Sequence, residues 1–389
     1  MMKEQLIPLL AAALGVSPKG FERLNVFDSL PLAQSHGVSN LLYYALPYLP
    51  KEQQPEAAER QVLKEHAYAA AVREAVQQRE LEALLARFEE EKIIVLPLKG
   101  SVIKYLYPKP AMRYMSDIDL LFDPAQAAQV RTIMEELGYV TDKYERGETD
   151  FYTSPTRMNY ELHRSLRGEG FNESSRRFLD KLLSYAKPQH GREYVRALPN
   201  EEHYAYLLCH FVKHLINGGI GVRQVMDIYL CRRQWSFDEK RRDDLLRKLE
   251  LTDFAATIEQ LAYCWFGGCE GSAVTDELGA YILGSGAFGK DEQRIADRIL
   301  KEQKKTSRVA YVIRRLFPSF HTMKNSFPKL KKAPILLPFY WFFRIFRGML
   351  CRKEKLSDEM HTVLGTTKET VSERAAFYRR CGLKIYEER

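Results

Sequence analysis

The chain has 389 residues, 45% hydrophobic and 28% charged, with no internal repeat or low-complexity segment. This fits a soluble globular protein of two or three domains and excludes repeat architectures. Its net charge of +8 favours an anionic partner, whether nucleotide, nucleic acid or acidic surface. Six dispersed cysteines, none in a Cys-x-x-Cys pair, argue against a zinc site. Met1-Met2-Lys3-Glu4-Gln5 leads into a short apolar helix without a cleavage site, so a cytoplasmic location is expected.

Residues 1–91 read as a helical region. A first helix around Leu6-Ile7-Pro8-Leu9-Leu10 ends near Gly15. Two more are expected over Asp28 to His36 and Val38 to Tyr48. Gln54 to Glu91 is a long charged stretch with Val62, Ala67, Ala71, Leu81, Leu84, Leu85 and Phe88 at helical spacing. No catalytic constellation lies here, and these helices are expected to buttress a sheet or shape a cleft.

Residues 92–190 alternate strand and helix. Ile93-Ile94-Val95-Leu96 reads as a buried strand that breaks at Lys99-Gly100-Ser101 into a helix from Val102 to Tyr107. Gly100 would let a phosphate approach the backbone, the helix start would offer free N–H groups, and the Ser101 hydroxyl would add a donor. The next strand holds Asp117-Ile118-Asp119. Alternate strand residues share a face, so the two carboxylates project together, about 7 Å apart along the strand. They would repel, and a divalent cation removes that conflict; hard oxygen ligands suit Mg²⁺ or Mn²⁺. Lys99 and Arg113 are candidates for neutralising phosphate charge. Pro124 opens a helix closed by Gly138, Tyr139-Val140 begins another strand, and Asp150–Thr153 with Met158–Leu162 form a hairpin turning at Ser154-Pro155-Thr156.

Gly100-Ser101 followed by Asp117-Ile118-Asp119 resembles the nucleotidyltransferase superfamily with its polymerase-beta-like fold. Leu98-Lys99-Gly100, Tyr107-Pro108, Arg113, Asp117-Ile118-Asp119-Leu120-Leu121, Gly138-Tyr139 and Glu161-Leu162-His163 are similar to a bacterial branch described as uncharacterised nucleotidyltransferases. The resemblance covers roughly residues 95–165. It implies that Glu161 is the third carboxylate, on a strand beside Asp117 and Asp119. It also implies two metal ions at these acids and an NTP whose outer phosphates lie at Gly100 and Ser101.

Residues 191–389 read as a helical domain. Pro199-Asn200-Glu201-Glu202 starts a helix carrying His203, His210 and His214. His210 and His214 have the i,i+4 spacing of a metal pair, but no Glu follows His210 in the zincin manner, and helical spacing alone favours packing or a substrate-facing role. By resemblance, His214, Arg223 and Asp227 line the cleft opposite the carboxylates; an internal Arg223–Asp227 ion pair is the alternative. Further helices are expected over Asp243–Leu249, Phe254–Trp265 and Asp276–Leu283. Residues 300–332 are basic, with Lys301, Lys304, Lys305, Arg308, Arg314, Arg315, Lys324, Lys329, Lys331 and Lys332. Tyr311, Phe317, Phe320 and Phe327 interleave. This run reads as an RNA surface, a peripheral membrane contact or a plain solvated face. Ile335–Leu350 is too short to span a bilayer and is expected to be a packed amphipathic helix. The charged tail from Asp358 is expected to be loosely attached.

The expected fold is α+β, mostly helical, with a small mixed-sheet nucleotidyltransferase core. The expected activity is metal-dependent transfer of a nucleoside monophosphate from an NTP to an acceptor hydroxyl, the acceptor being a small molecule, sugar, peptide, protein or RNA. The alternatives are phosphoryl transfer at the same metals, or a non-catalytic nucleotide- or RNA-binding protein.

Overall fold

The structure is a computed structural model that describes residues 2–16, 25–141, 144, 147–166, 172–286, 317–331, 333–351 and 368–384. It is α+β and mostly helical, with one small mixed sheet. The N-terminal helices are α1 (Met2–Ala13), α2 (Leu30–Ser35), α3 (Leu41–Ala45) and α4 (Ala57–Glu90). A reciprocal capping box between Glu56 and Glu59 starts α4. Its 34 residues make a rod about 51 Å long that reaches two cores. Leu63 enters the larger core, and Leu81, Leu84, Leu85 and Phe88 pack under the sheet. Each of these four buried side chains contributes about 1.5–3 kcal/mol, far more than the few tenths from a surface ion pair on the same helix.

The sheet contains β1 (Val95–Pro97), β2 (Asp117–Phe122), β3 (Thr149–Thr153) and β4 (Asn159–His163), in the order β1-β2-β4-β3. β1 runs antiparallel to β2, β4 parallel to β2, and β3 antiparallel to β4. Ile118 and Leu120 of β2 and Tyr160 and Leu162 of β4 turn inward, so the acids alternate to the opposite face. Tyr139-Val140 is not a full strand. It makes a single bridge, Val140 to Thr153, while Tyr139 packs edge-on against Tyr160 at 5.1 Å. After β1 the chain forms α5 (Gly100–Ile103) and a 3-10 turn over Lys104–Leu106, beginning two residues earlier than the sequence suggests. Lys104, in that turn, is fully buried against α4 with Nζ on Glu74 (3.0 Å) and Gln78 (2.6 Å). β2 is followed by α6 (Ala127–Glu136).

Beyond β4 come α7 (Glu173–Asp180), α8 (Leu182–Tyr185) and the two-residue pair β5 (Lys187–Pro188) and β6 (Arg196–Ala197). Then follow α9 (Asn200–Leu215), α10 (Val222–Gln234), α11 (Glu239–Lys248), α12 (Thr252–Phe266) and α13 (Ala273–Ser285). Asn200 is the first residue of α9 rather than its cap, its amide instead bonding Ser236 O at 2.9 Å. One apolar core runs from Leu6 to Leu383 and unites α1–α3 with α9–α13. The remaining described helices are α14 (Phe320–Ser326), α15 (Leu337–Cys351) and α16 (Lys368–Arg380). Of the basic run, residues 300–316 and Lys332 lie outside the described residues.

The C-terminal tail corrects the sequence reading. Residues 358–367 lie outside the described residues, but α16 is firmly packed, its apolar face outweighing the charges opposite. Phe377, Tyr378, Cys381 and Leu383 are buried in the main core, the Tyr378 hydroxyl donates to Leu215 O (3.1 Å), and Arg380 grips Glu277 through two nitrogens. Gly382 has φ +87°, and a Cβ there would lie 2.5 Å from Asp253 C and Phe254 N. Gly382→Ala should therefore destabilise the protein by about 2–4 kcal/mol, read as a lowered thermal midpoint. Glu373→Ala on the exposed face of α16 should leave the midpoint within error. Equal midpoints for the two variants would mean that the tail is not docked.

Candidate functional site

The segment before β2 delivers the first acid, and it is held almost residue by residue. The Asn40 amide, just before α3, donates to Ala111 O (3.0 Å) and Met112 O (3.1 Å). From α10, Arg223 Nη1 donates to Tyr114 O (2.6 Å). From α4, Arg73 donates to Met115 O (2.9 Å) and Ser116 O (2.8 Å), and Gln77 donates to Met115 O (3.2 Å). Side-chain donors from two helices and from the residue that precedes a third thus satisfy a loop that forms no ladder of its own. Asp117 opens β2 from this fixed base and accepts from Ser116 Oγ at 3.0 Å.

The parallel register places Asp119 directly beside Glu161. The β-strand period of two then sets His163 on the same face as Glu161. One ligand atom each from Asp119, Glu161 and His163 lies within 4.8 Å of the others. His163 Nε2 is 2.9 Å from Asp119 Oδ1, and Nδ1 is 2.9 Å from Thr149 Oγ1. A carboxylate only accepts, so Nε2 carries a proton towards Asp119. Lys99 Nζ reaches the same Asp119 oxygen at 2.6 Å. Lys99 itself sits at φ 51°, ψ −121°, a conformation that costs a non-glycine residue about 1–3 kcal/mol.

These contacts drive the two acids apart. Burial alone would raise Asp119, but the Lys99 ammonium and the His163 hydrogen bond override it and hold the carboxyl below its usual range. Glu161 is pushed up to about 7, first by burial and then by the charges of Asp119 and Asp117, with Lys99 and Lys213 only partly compensating. A carboxyl poised near neutrality in a cleft has the properties of a proton acceptor.

The acids face a cavity of about 470 Å³ whose opposite wall is α9 and α10. Tyr206, His210, Lys213, His214 and Asn217 line it from α9 and its C-terminal end. Lys213 and Arg223 reach it without a carboxylate at ion-pair distance among the described residues, and burial lowers the pKa of both. Arg223 Nε has no hydrogen-bond partner. One wall is therefore acidic and the other cationic.

Several expectations about individual residues are revised. Arg113 lines the cavity, but its guanidinium is engaged by Asp227 through Nε–Oδ1 (2.9 Å) and Nη2–Oδ2 (2.7 Å), with Tyr107 also donating to Oδ1 (2.8 Å). Asp227 therefore pairs with Arg113, not with Arg223 four residues away. Gly100 lines the cavity, and a Cβ there would collide with Arg113 Nη1 and Met115 Sδ, so its lack of a side chain makes room for these protein groups. Ser101 is buried, does not line the cavity, and its hydroxyl has no partner. His210 and His214 bond each other, Nε2 to Nε2 at 3.0 Å. Asp119, Glu161 and His163 are the one candidate metal group among the described residues, and it includes none of the three histidines of α9. Burial, with Lys99 and Lys213 nearby, holds His214 at about 4 and His210 well below its ordinary value, so both are neutral at pH 7. His203 points elsewhere, buried against Trp235 and lowered to about 4 by that burial.

Sequence reasoning did not single out His163 as a site residue and passed over Thr149, Tyr206 and Lys213. Alternation from Glu161 points to His163, and the helical period through His210 points to Tyr206, Lys213 and His214. The chain has no match among curated proteins or among solved structures. The family model described as uncharacterised nucleotidyltransferase matches residues 26–267, which include the whole four-stranded sheet and the helices α9 to α12 that face or support the cleft. With well over half of its length matched, carboxylate strands and cationic wall together, the chain belongs to this nucleotidyltransferase family.

Proposed function

We propose that the cleft binds an NTP and transfers its nucleoside monophosphate to an acceptor hydroxyl, with release of pyrophosphate. The observation that carries this reading is the alignment of Asp119 with Glu161 on parallel strands, facing Lys213 and Arg223 across the cavity. The donor set fits divalent cations. Asp117, Asp119 and Glu161 offer hard oxygens; burial lifts Glu161 first and the neighbouring carboxylates second, and a cation between the acids would relieve that repulsion. We assign these three acids to two ions, Mg²⁺ or Mn²⁺. Bound there, such ions supply Lewis-acid stabilisation of the attacking and leaving oxygens.

The remaining roles belong to the chain's own groups. Lys213 and Arg223, which have no carboxylate partner among the described residues, receive the triphosphate's charge. Gly100 keeps the backbone beside the cleft free of a side chain. Glu161 accepts the proton of the acceptor hydroxyl as its oxygen attacks the α-phosphorus. His163, oriented by Thr149, fixes the Asp119 carboxylate. Lys99 neutralises Asp119 in the free protein and transfers its ammonium to phosphate when nucleotide enters. Arg113 and Asp227 act as the buried tie that holds the two walls in register.

Incubation with Mg²⁺, a cell extract and either α- or γ-³²P-labelled NTP should place only the α-label on an acceptor. Label from the γ-position would make the reaction a phosphoryl transfer, and tight NTP binding with no transfer would leave a binding protein. Asp119→Asn and Asp117→Asn preserve shape and should reduce transfer to background; Asp117→Asn should leave the thermal midpoint near that of the wild type, whereas Asp119→Asn, which strips Lys99 of its buried partner, should lower it without unfolding the protein. Full turnover in a folded Asp119→Asn protein would sink the assignment.

Glu161→Gln separates function from stability. It should lower turnover about 10²–10⁴-fold while NTP affinity changes little. Glu161 has a raised pKa in the folded protein, so the folded state binds its proton more tightly than the unfolded chain does. The carboxylate therefore lowers stability as pH rises from about 4.5 through about 7, and the cost is fully present above 7. In metal-free buffer Glu161→Gln should stabilise the protein by about 1–2 kcal/mol at pH 8, after allowing for partial exposure of the group, and by little at pH 5. Thermal unfolding at the two pH values checks this. A variant destabilised at pH 8 would place Glu161 away from the other carboxylates.

A further inference from the structure

α15 presents an aromatic face to solvent. Phe339, Phe342, Phe343 and Phe346 follow i, i+3, i+4, i+7 spacing on one side of this helix and are 63%, 66%, 44% and 59% exposed. Ile335, just upstream, is 88% exposed. The four rings leave on the order of 450 Å² of aromatic surface in water, at the upper end of what a monomer ordinarily tolerates in one patch.

The helix is not free to roll this face inward, because its other side is already packed. Trp341 Nε1 donates to Pro318 O at 2.8 Å, and Phe317 packs edge-on against the Trp341 ring at 5.4 Å. Tyr340 lies 4.8 Å from Phe327, ring centre to ring centre. Met323 and Leu330 of the same segment are buried. The unit of α14, the 3-10 turn Pro328–Lys331 and α15 thus has its own small core and one apolar face turned outward.

The charge around this face identifies its partner. From residue 317 to 351 the described chain carries Lys324, Lys329, Lys331, Arg344 and Arg347 and not one Asp or Glu. A surface meant for another globular protein, or for a second copy of this chain, would meet this unrelieved positive charge with its own mixed charges. An anionic lipid headgroup layer supplies both complements at once, negative charge at the surface and an apolar interior for the rings just below it. The 15 residues of α15 extend about 22 Å, short of the roughly 30 Å hydrocarbon core. No described helix is long and apolar enough to cross a membrane.

The geometry points to α15 as an in-plane anchor that docks this protein on an anionic membrane surface, with the four phenylalanines inserted at the headgroup boundary and the basic residues around them on the lipid phosphates. The inference does not depend on the reaction at the carboxylate site.

Flotation of the full chain with phosphatidylcholine vesicles, with and without phosphatidylglycerol, tests it. The protein should float with the anionic vesicles, and the bound fraction should fall as salt is raised. The triple variant Phe339→Ser/Phe342→Ser/Phe346→Ser should lose at least about tenfold in partitioning, with unchanged NTP binding and thermal midpoint, because these rings are already outside the core. Charge reversal of Lys324, Lys329 and Lys331 to Glu should weaken anionic binding without affecting the rings. Failure to float, or flotation indifferent to the phenylalanines, would overturn the proposal. So would a dimer that the triple variant dissolves, or RNA binding that it abolishes while vesicles never bind.

Discussion

Two carboxylates opposite each other on neighbouring parallel strands repel, and the design of this site follows from how that repulsion is handled. Asp119 is stabilised by the Lys99 ammonium and the His163 N–H, so it remains ionised. Glu161, one strand away, is raised first by burial and then by the charge of Asp119, and is left near neutrality. A core built for stability alone would not keep this arrangement, nor hold Lys99 at a positive φ beside it. The pairing persists because the surrounding structure fixes both strands. Asn40, Arg73, Gln77 and Arg223 pin the approach to β2, and the hairpin with β3 pins β4.

The second constraint is the buried ion pair between Arg113 and Asp227. It joins the loop before β2 to α10, and so sets the cationic wall opposite the acids. Losing either partner would strand a buried charge at a cost of about 3–5 kcal/mol. The absence of a side chain at Gly100 makes room for Arg113, so one glycine, one arginine and one aspartate from distant parts of the chain hold the cleft open to a defined width. Arg223 pairs with backbone rather than with Asp227, which leaves its charge available to the cavity.

Much of this was legible in the sequence because period and punctuation report local structure directly. Asp117-Ile118-Asp119 announces a half-buried strand, Ser154-Pro155-Thr156 a hairpin, and Pro199 a helix start. What is not legible depends on pairings between distant segments. No local pattern says that Arg113 would bond Asp227, or that Arg223, at ideal helical spacing from Asp227, would turn to Tyr114 O instead. Nor does the charge of the tail reveal that Phe377, Tyr378, Cys381 and Leu383 share one face and reach the main core. Ser101 illustrates the converse, a hydroxyl at the expected sequence position that is buried at the start of α5 and does not line the cavity. Lys213 was passed over because a single lysine on an α-helix carries no signal until the strand acids opposite are in place.

The central claim is that Asp117, Asp119 and Glu161 form one cation site where an NTP reacts. Anomalous diffraction from crystals grown with Mn²⁺ and a non-hydrolysable NTP analogue tests it most directly. The account predicts manganese in contact with all three carboxylates, nucleotide phosphates reaching Lys213 and Arg223, and Lys99 Nζ withdrawn from Asp119. Nucleotide bound elsewhere, with Lys99 still paired to Asp119 and no manganese between the acids, would contradict it.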